Sequence, residues 1–104
     1  MERKAFKMFL LPGFEAEYKK RHDEIWPELV ELLKSNGISE YHIYLNEQSL
    51  SLFGILKITD PMKLDELPHH PVMKKWWAYM KDIMETNADN SPVSIPLINV
   101  FHLS

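Results

Sequence analysis

The segment from Leu50 to Ile58 restricts the fold more than any other part of this 104-residue chain. Its β-forming residues predict a strand. The similar run from Tyr41 to Leu45 precedes it across the polar stretch 46–49, so the two runs predict a hairpin. Alternation along the second strand places apolar side chains on both faces, namely Leu52, Leu56 and Ile58 on one and Phe53 and Ile55 on the other. Both faces of the sheet therefore need cover.

The residues before the hairpin predict a strand followed by a helix. Residues 4–11 are dense in aromatic and aliphatic side chains and end at the turn residues Pro12-Gly13. From Phe14 to about Ser35, apolar residues recur at spacings of three, four and seven, which predicts an amphipathic helix closed by Asn36-Gly37. Pro27 lies inside this helix and lacks a backbone N–H, so it predicts a kink or a restart.

The residues after the hairpin predict a helical region and a last strand. Asp60-Pro61 is a start signal for a short helix up to Leu67, and Pro71 begins a longer helix over about Val72 to Met84. Residues Leu97 to Leu103 predict the last strand. The resulting order is that of a ferredoxin-like split βαβ sandwich of the α+β class, in a single domain over residues 1–104.

The helices of one such chain cover only one side of its sheet. We therefore expect a homodimer in which two sheets pack face to face as a dimeric α/β-barrel. The alternative is that the apolar side chains on the second face are simply exposed.

Composition argues against several kinds of partner. Twelve basic and 15 acidic residues give a net charge of −3, and the longest basic cluster, Lys19-Lys20-Arg21, is typical of a solvated helix face, so we expect no nucleic acid partner. The absence of cysteine excludes disulfides and thiol nucleophiles. The first six residues lack the features of a signal peptide, and no segment approaches the about 20 apolar residues of a membrane span. We expect no membrane contact and a cytoplasmic location.

We also expect neither a metal nor a cofactor. Of the five histidines, His69 and His70 are neighbours and the others are scattered without ligand-like spacing. The chain has three glycines, no two of them close together, so it offers no phosphate-binding loop.

His22 is the first candidate for chemistry, because it occupies the apolar stripe of the first helix, one turn after Tyr18. Spacing alone favours a core or boundary histidine held by a hydrogen bond. With a reference pKa of ~6.5, however, histidine is the natural general acid or base near neutral pH.

Four further aromatic residues are candidates for a ligand pocket. Trp76 and Trp77 are adjacent in the last helix and point about 100° apart, so either both are core residues or at least one lines a pocket, where a tryptophan face suits a sugar ring. Tyr41 and Tyr44 point to opposite faces of their strand, so at most one shares a pocket with the helices. Spacing does not choose between them.

The polar stretch from Asn87 to Pro92 is typical of a plain turn, although it is also placed to close over a ligand.

Three segments together resemble the L-rhamnose mutarotase family: Tyr18-Lys19-Lys20-Arg21-His22-Asp23-Glu24-Ile25-Trp26-Pro27-Glu28-Leu29, Lys75-Trp76-Trp77-Ala78-Tyr79-Met80, and Asp89-Asn90-Ser91-Pro92-Val93. The resemblance covers nearly the whole chain. It implies a homodimer of ferredoxin-like subunits acting on free L-rhamnose. It further implies that His22 is the catalytic proton donor, and that the substrate-binding residues are Tyr18, Tyr41, Trp76 and Trp77. Two departures are Ala88, where proline is common in the family, and His42, where a small residue is usual.

The function implied by the resemblance is interconversion of the anomers of free L-rhamnose. The reaction needs a proton delivered to the ring oxygen while another leaves the anomeric hydroxyl, so one acid and one base suffice. The second proton carrier and the selectivity against related sugars such as L-mannose stay open. Two alternatives are a cofactor-free monooxygenase of the dimeric α/β-barrel type and a non-catalytic sugar-binding module, because the fold alone does not fix function.

Overall fold

The computed structural model describes residues 2–104, and its elements follow the predicted order. Strand β1 spans Glu2–Phe9, helix α1 spans Glu15–Asp23 and helix α2 spans Pro27–Ser35. The predicted hairpin consists of β2 (Ile38–Asn46) and β3 (Ser51–Ile58). Two short 3-10 helices (Pro61–Asp65 and Leu67–His69) lead to helix α3 (Pro71–Met80), and the last strand, β4, is Ile95–Pro96.

The four strands form one antiparallel sheet in the order β2-β3-β1-β4. This order confirms the ferredoxin-like α+β fold. The core lies between the helices and the inner face of the sheet, and its fully buried side chains are Leu29, Leu52, Ile58 and Ile83. On the outer face Phe53 is half-buried and Ile55 is 38% exposed.

The predicted first helix is two helices, and Pro27 is the reason. Proline is the first residue of α2. At this position a backbone N–H has no acceptor within the helix, so the missing N–H of proline costs no hydrogen bond. The preceding residue, Trp26, has the extended backbone that proline imposes on its neighbour. The expected interruption is thus a restart, and residues 24–26 connect the two helices.

Helix α3 ends at Met80, four residues before the predicted end. The backbone that follows bonds to the end of β1 instead. The Leu11 N–H donates to the Ile83 carbonyl over 3.0 Å, and the Glu85 N–H donates to the Phe9 carbonyl over 2.9 Å. A segment that satisfies its backbone against a strand cannot also continue a helix.

The prediction of a last strand over Leu97–Leu103 is wrong. Strand β4 comprises only Ile95–Pro96, opposite Lys7 and Phe6 of β1, and residues 97–104 have no regular structure. This apolar tail, defined as residues 97–104, leaves Ile98 and Val100 87% and 92% exposed. Its composition suits a strand, but a strand also needs a partner, and among residues 2–104 the only backbone hydrogen bond to the tail is the one from the Leu97 N–H to the Ala5 carbonyl.

A bulge in β2 decides which side chains of that strand face the core. Between Ser39 and His42 the strand contains one residue more than the opposing stretch of β3, and Glu40 takes a left-handed φ of 48°. The extra residue reverses the alternation that begins at Ile38. Tyr41 therefore lies on the inner face with Ile43 and Leu45.

Candidate active site

A cavity of about 1190 Å³ lies between the helices and the inner face of the sheet. It exceeds the roughly 300–1,000 Å³ typical of small-ligand sites, so it has room for a small ligand together with water. Its wall is mainly apolar. All five residues proposed for the site line it, namely Tyr18, His22, Tyr41, Trp76 and Trp77.

His22 is held in one orientation by two aromatic rings and a carbonyl group. Its Nδ1 lies 3.0 Å from the Tyr18 carbonyl oxygen, which can only accept a hydrogen bond, so Nδ1 carries the proton and Nε2 is left for a ligand. The Tyr18 ring stacks on the imidazole at 4.4 Å, and Trp76 meets it edge-on at 5.4 Å. The i, i+4 spacing on α1 produces the first two contacts.

The surroundings of His22 favour its neutral form. Burial lowers the pKa of His22 below its usual value of 6.5, and this effect outweighs the opposing influence of the Tyr18 carbonyl and of Asp23. At neutral pH the ring therefore rests as a neutral base with Nε2 available.

The two tyrosines of the cavity rest in the protonated form. Burial raises the pKa of Tyr18, and the Tyr41 phenol raises it further. Burial also raises the pKa of Tyr41, although 38% of its surface borders open space. Phe6 supports Tyr41 edge-on at 6.1 Å. Protonated phenols donate hydrogen bonds to a ligand and do not act as bases near neutral pH.

The two tryptophans both border the cavity but differ in their surroundings. Trp76 is buried and Trp77 is half-buried. The Trp26 ring packs edge-on against the Trp76 ring, with centroids 5.1 Å apart and nearly perpendicular planes. Trp26 in turn stacks on Tyr79 at 5.6 Å. The supporting role of Trp26 and Tyr79 was not predicted from their spacing, although both residues belong to the segments that resemble the family.

The polar stretch Asn87–Pro92 is chiefly a turn that bonds to itself. Asp89 accepts hydrogen bonds from the backbone and hydroxyl of Ser91, which lower the pKa of Asp89, and the Asn87 amide donates to the Ser91 hydroxyl over 3.1 Å. Ser91 and Pro92 nevertheless border the cavity, so the turn forms part of its wall.

His42 lies away from the cavity. It stacks on Tyr44 at 6.2 Å on the outer face and lies 3.9 Å from a Glu40 carboxylate oxygen. Over residues 2–104, no three acidic or histidine side chains cluster closely enough to hold a metal ion. In the same part of the chain, no helix combines the length and apolar character that crossing a membrane requires.

Fold and cavity together define a class of protein: a ferredoxin-like α+β domain whose helix-covered pocket presents a titratable imidazole, two phenols and two indoles to a small ligand. Comparison with known proteins gives the family. The model of L-rhamnose mutarotase matches residues 3–103. The chain therefore belongs to the L-rhamnose mutarotase family, whose members are carbohydrate isomerases that interconvert sugar anomers.

Individual relatives agree with this assignment. An L-rhamnose mutarotase of Brucella anthropi is 62% identical over 98% of this chain and 96% of its own length. One from Sinorhizobium fredii is 61% identical over the full length of both chains. The crystal structure of an L-rhamnose mutarotase from Formosa agariphila covers both chains completely, with a TM-score of 0.93 and 49% identity. A Mycobacterium tuberculosis protein with a TM-score of 0.61 and 13% identity shares the fold alone. These relatives do not favour the monooxygenase or the non-catalytic binding module.

Proposed function

We propose that this chain interconverts the α and β anomers of free L-rhamnose, with His22 as the catalytic proton donor. The observation that carries the proposal is the fixed imidazole: Nδ1 is committed to the Tyr18 carbonyl, and Nε2 is left to the cavity. Among the described residues that line the cavity, His22 is the only histidine, and its ring is held in this orientation.

The lowered pKa of His22 suggests how one ring serves both proton transfers. The neutral Nε2 accepts the proton of the anomeric hydroxyl. The imidazolium so formed donates that proton to the ring oxygen as the bond between C1 and the ring oxygen breaks and the C1 carbonyl forms. Rotation about C1–C2 then exposes the other carbonyl face. Closure reverses the two transfers and returns the ring to its neutral form.

The aromatic residues of the cavity would bind the sugar in complementary ways. The protonated hydroxyls of Tyr18 and Tyr41 donate hydrogen bonds to sugar oxygens, while the indoles of Trp76 and Trp77 pack against ring C–H groups and the C6 methyl. A single apolar contact at C6 distinguishes L-rhamnose from L-mannose by about 1–3 kcal/mol. We expect L-mannose to turn over, but less efficiently.

Two-dimensional exchange NMR on equilibrated L-rhamnose tests the activity. Catalytic amounts of protein are expected to raise the anomer exchange rate above the buffer rate. His22→Ala is expected to lose most of this gain, while His69→Ala, which removes an exposed histidine outside the cavity, is expected to keep it. An unchanged exchange rate with the parent protein would refute the proposal.

We propose further that the chain is a homodimer formed through the outer face of the sheet and the apolar tail. Ile55, Tyr44 and the apolar side chains of the tail are exposed in a single chain, and contact with a second copy would cover them. Large exposed apolar patches usually mark interaction sites, and a two-fold contact buries the same patch on both copies.

The mass in solution tests the homodimer. Light scattering is expected to give about twice the 12.3 kDa chain mass. Ile55→Glu places a charge at the centre of the outer face and is expected to give monomers. Met62→Glu, the same change at a 74% exposed position on a 3-10 helix, is the control and should stay dimeric. A monomeric parent at micromolar concentration would exclude this assembly.

A cytoplasmic location stays a prediction, which cell fractionation would test.

A further inference from the structure

Arg21 connects helix α1 to the last turn of α3 and to the residues that follow it. Its guanidinium donates from Nη1 to the Tyr79 carbonyl over 2.7 Å, and both Nη atoms contact the Asp82 carboxylate, over 2.9 Å and 3.2 Å. The Nε atom bonds to Glu17 over 2.7 Å. The guanidinium also lies over the Tyr79 ring at 4.4 Å. Within residues 2–104, the bonds to Tyr79 and Asp82 are the side-chain hydrogen bonds that join α1 to the end of α3 and the residues after it.

This arrangement differs from a common surface ion pair on the arginine side, although the Asp82 side chain is 61% exposed. Exposed pairs contribute little, because water competes for both charges and the side chains lose freedom. The Arg21 side chain, in contrast, is only 11% exposed. Its planar guanidinium donates hydrogen bonds to the Asp82 carboxylate and to the Tyr79 carbonyl at the same time. The hydrogen bonds to Asp82 and Glu17 raise the pKa of the guanidinium further, and the Arg21 fork lowers the pKa of Asp82.

An aromatic chain continues from Arg21 to the proposed catalytic ring. Tyr79, which Arg21 covers, stacks on Trp26; Trp26 meets Trp76 edge-on; and Trp76 meets His22 edge-on. Arg21 and His22 are neighbours on α1. They contact opposite ends of the aromatic cluster formed by Tyr79, Trp26 and Trp76. A displacement of Arg21 from α3 therefore changes how the His22 ring meets Trp76.

We propose that Arg21 is a positioning residue for the reaction: its fork to Asp82 and the Tyr79 carbonyl sets the separation of α1 from α3, and thus of His22 from Trp76. Arg21 does not border the cavity, so it acts through other residues and touches no substrate. The inference rests on the proposed function of His22, because only then does the placement of this ring affect the rate.

Kinetics of three variants at Arg21 and Asp82 test the role of Arg21, with a variant of the neighbouring Lys20 as the control. Arg21→Ala is expected to lower kcat about tenfold, because small misplacements of a catalytic group are costly, with KM changed less than about twofold. Arg21→Lys keeps the charge but loses the fork, so it is expected to recover thermal stability without recovering kcat. Asp82→Asn is expected to lower kcat in the same way. Lys20→Ala removes a positive charge from the adjacent, exposed position and should match the parent.

Proton NMR of the His22 ring provides a readout that stability alone does not move. In the ligand-free parent, Tyr18 and Trp76 shift the His22 ring protons through their ring currents, and Arg21→Ala is expected to change these shifts while Lys20→Ala is not. Unchanged shifts, a parent-like kcat per folded molecule in Arg21→Ala, or full kcat in Arg21→Lys would each overturn the proposal. Because the shifts need no substrate, they test positioning even if the parent fails to accelerate sugar exchange, a failure that would count against the proposed function instead.

Discussion

Gly54 on β3 allows a specific prediction about the support of Tyr41. The residue lies on the inner face opposite Phe6 of β1, and a Cβ atom built there would lie 2.5 Å from two atoms of the Phe6 ring. Ordinary carbon contacts begin near 3.5 Å, so in Gly54→Ala the ring has to move by about 1 Å. Phe6 is half-buried and has room to move, and its edge contact to Tyr41 would change with it.

The magnitude follows from two opposing effects. Overpacking costs about 1–3 kcal/mol, and replacing a strand glycine by alanine returns about 0.5–1 kcal/mol of conformational entropy. We expect the free energy of unfolding to fall by about 1 kcal/mol, which corresponds to a decrease in Tm of about 4–8 °C for a domain of this size. The aromatic contact is worth about 0.5–1.5 kcal/mol, so KM should rise about two- to tenfold.

Denaturant titration and exchange NMR over a range of sugar concentrations measure the two quantities. Phe6→Leu supplies the control, because it removes the ring that the new Cβ would meet. In that background Gly54→Ala should cost little or become stabilising, which gives a clear departure from additivity. If Gly54→Ala is as stable as the parent, binds the sugar equally well and is additive with Phe6→Leu, the steric reasoning is wrong.

Three further predictions concern the cavity. The pKa of His22 is lowered in the fold, so its contribution to stability is fully present above the unfolded value of about 6.5 and is lost as pH falls toward the folded value. Activity needs the neutral ring of the folded protein, so kcat/KM should decline at lower pH than the onset of the stability loss, as pH falls through the lowered pKa of His22. Rate and denaturation profiles against pH measure both. Trp76→Leu should lower the free energy of unfolding by about 3 kcal/mol and reduce kcat, while the half-buried Trp77→Leu should chiefly raise KM, as calorimetry and kinetics would show. Tyr18→Phe should raise KM without changing the pH profile, because the raised pKa of Tyr18 keeps this phenol protonated throughout.

The sequence predicted the elements that depend on local pattern and missed those that depend on pairing. The helix restart at Pro27 and the β2–β3 hairpin arise from residue chemistry within a few positions, and both were predicted. The apolar tail carries a strand-like pattern yet forms no strand, because pairing partners are not encoded in the tail itself. The early end of α3 has the same origin, since the bond from the Glu85 N–H to Phe9 joins positions far apart in the chain.

The proposed site shows the same division. The helical spacing of Tyr18 and His22 predicts that they lie together, and their rings stack in the structure. The cluster Lys19-Lys20-Arg21 predicts a solvated basic face, yet the Arg21 side chain is largely covered, because its partners Tyr79 and Asp82 come from a distant segment. Residue spacing on one helix cannot reveal which face a second helix will cover.

The choice between Tyr41 and Tyr44 illustrates the limit most directly. Counting from the buried Ile38, simple alternation would direct His42 and Tyr44 toward the core and Tyr41 outward. The bulge at Glu40 reverses this order, and the cost is a left-handed backbone at a residue other than glycine. That strain is tolerated because the reversed register also places Ile43 and Leu45 against the core, opposite Gly54 and Leu52. The bulge that turns Tyr41 into the cavity is thus maintained by the burial of Ile43 and Leu45. For this reason, the residues immediately around Tyr41 do not reveal from the sequence which face this side chain takes.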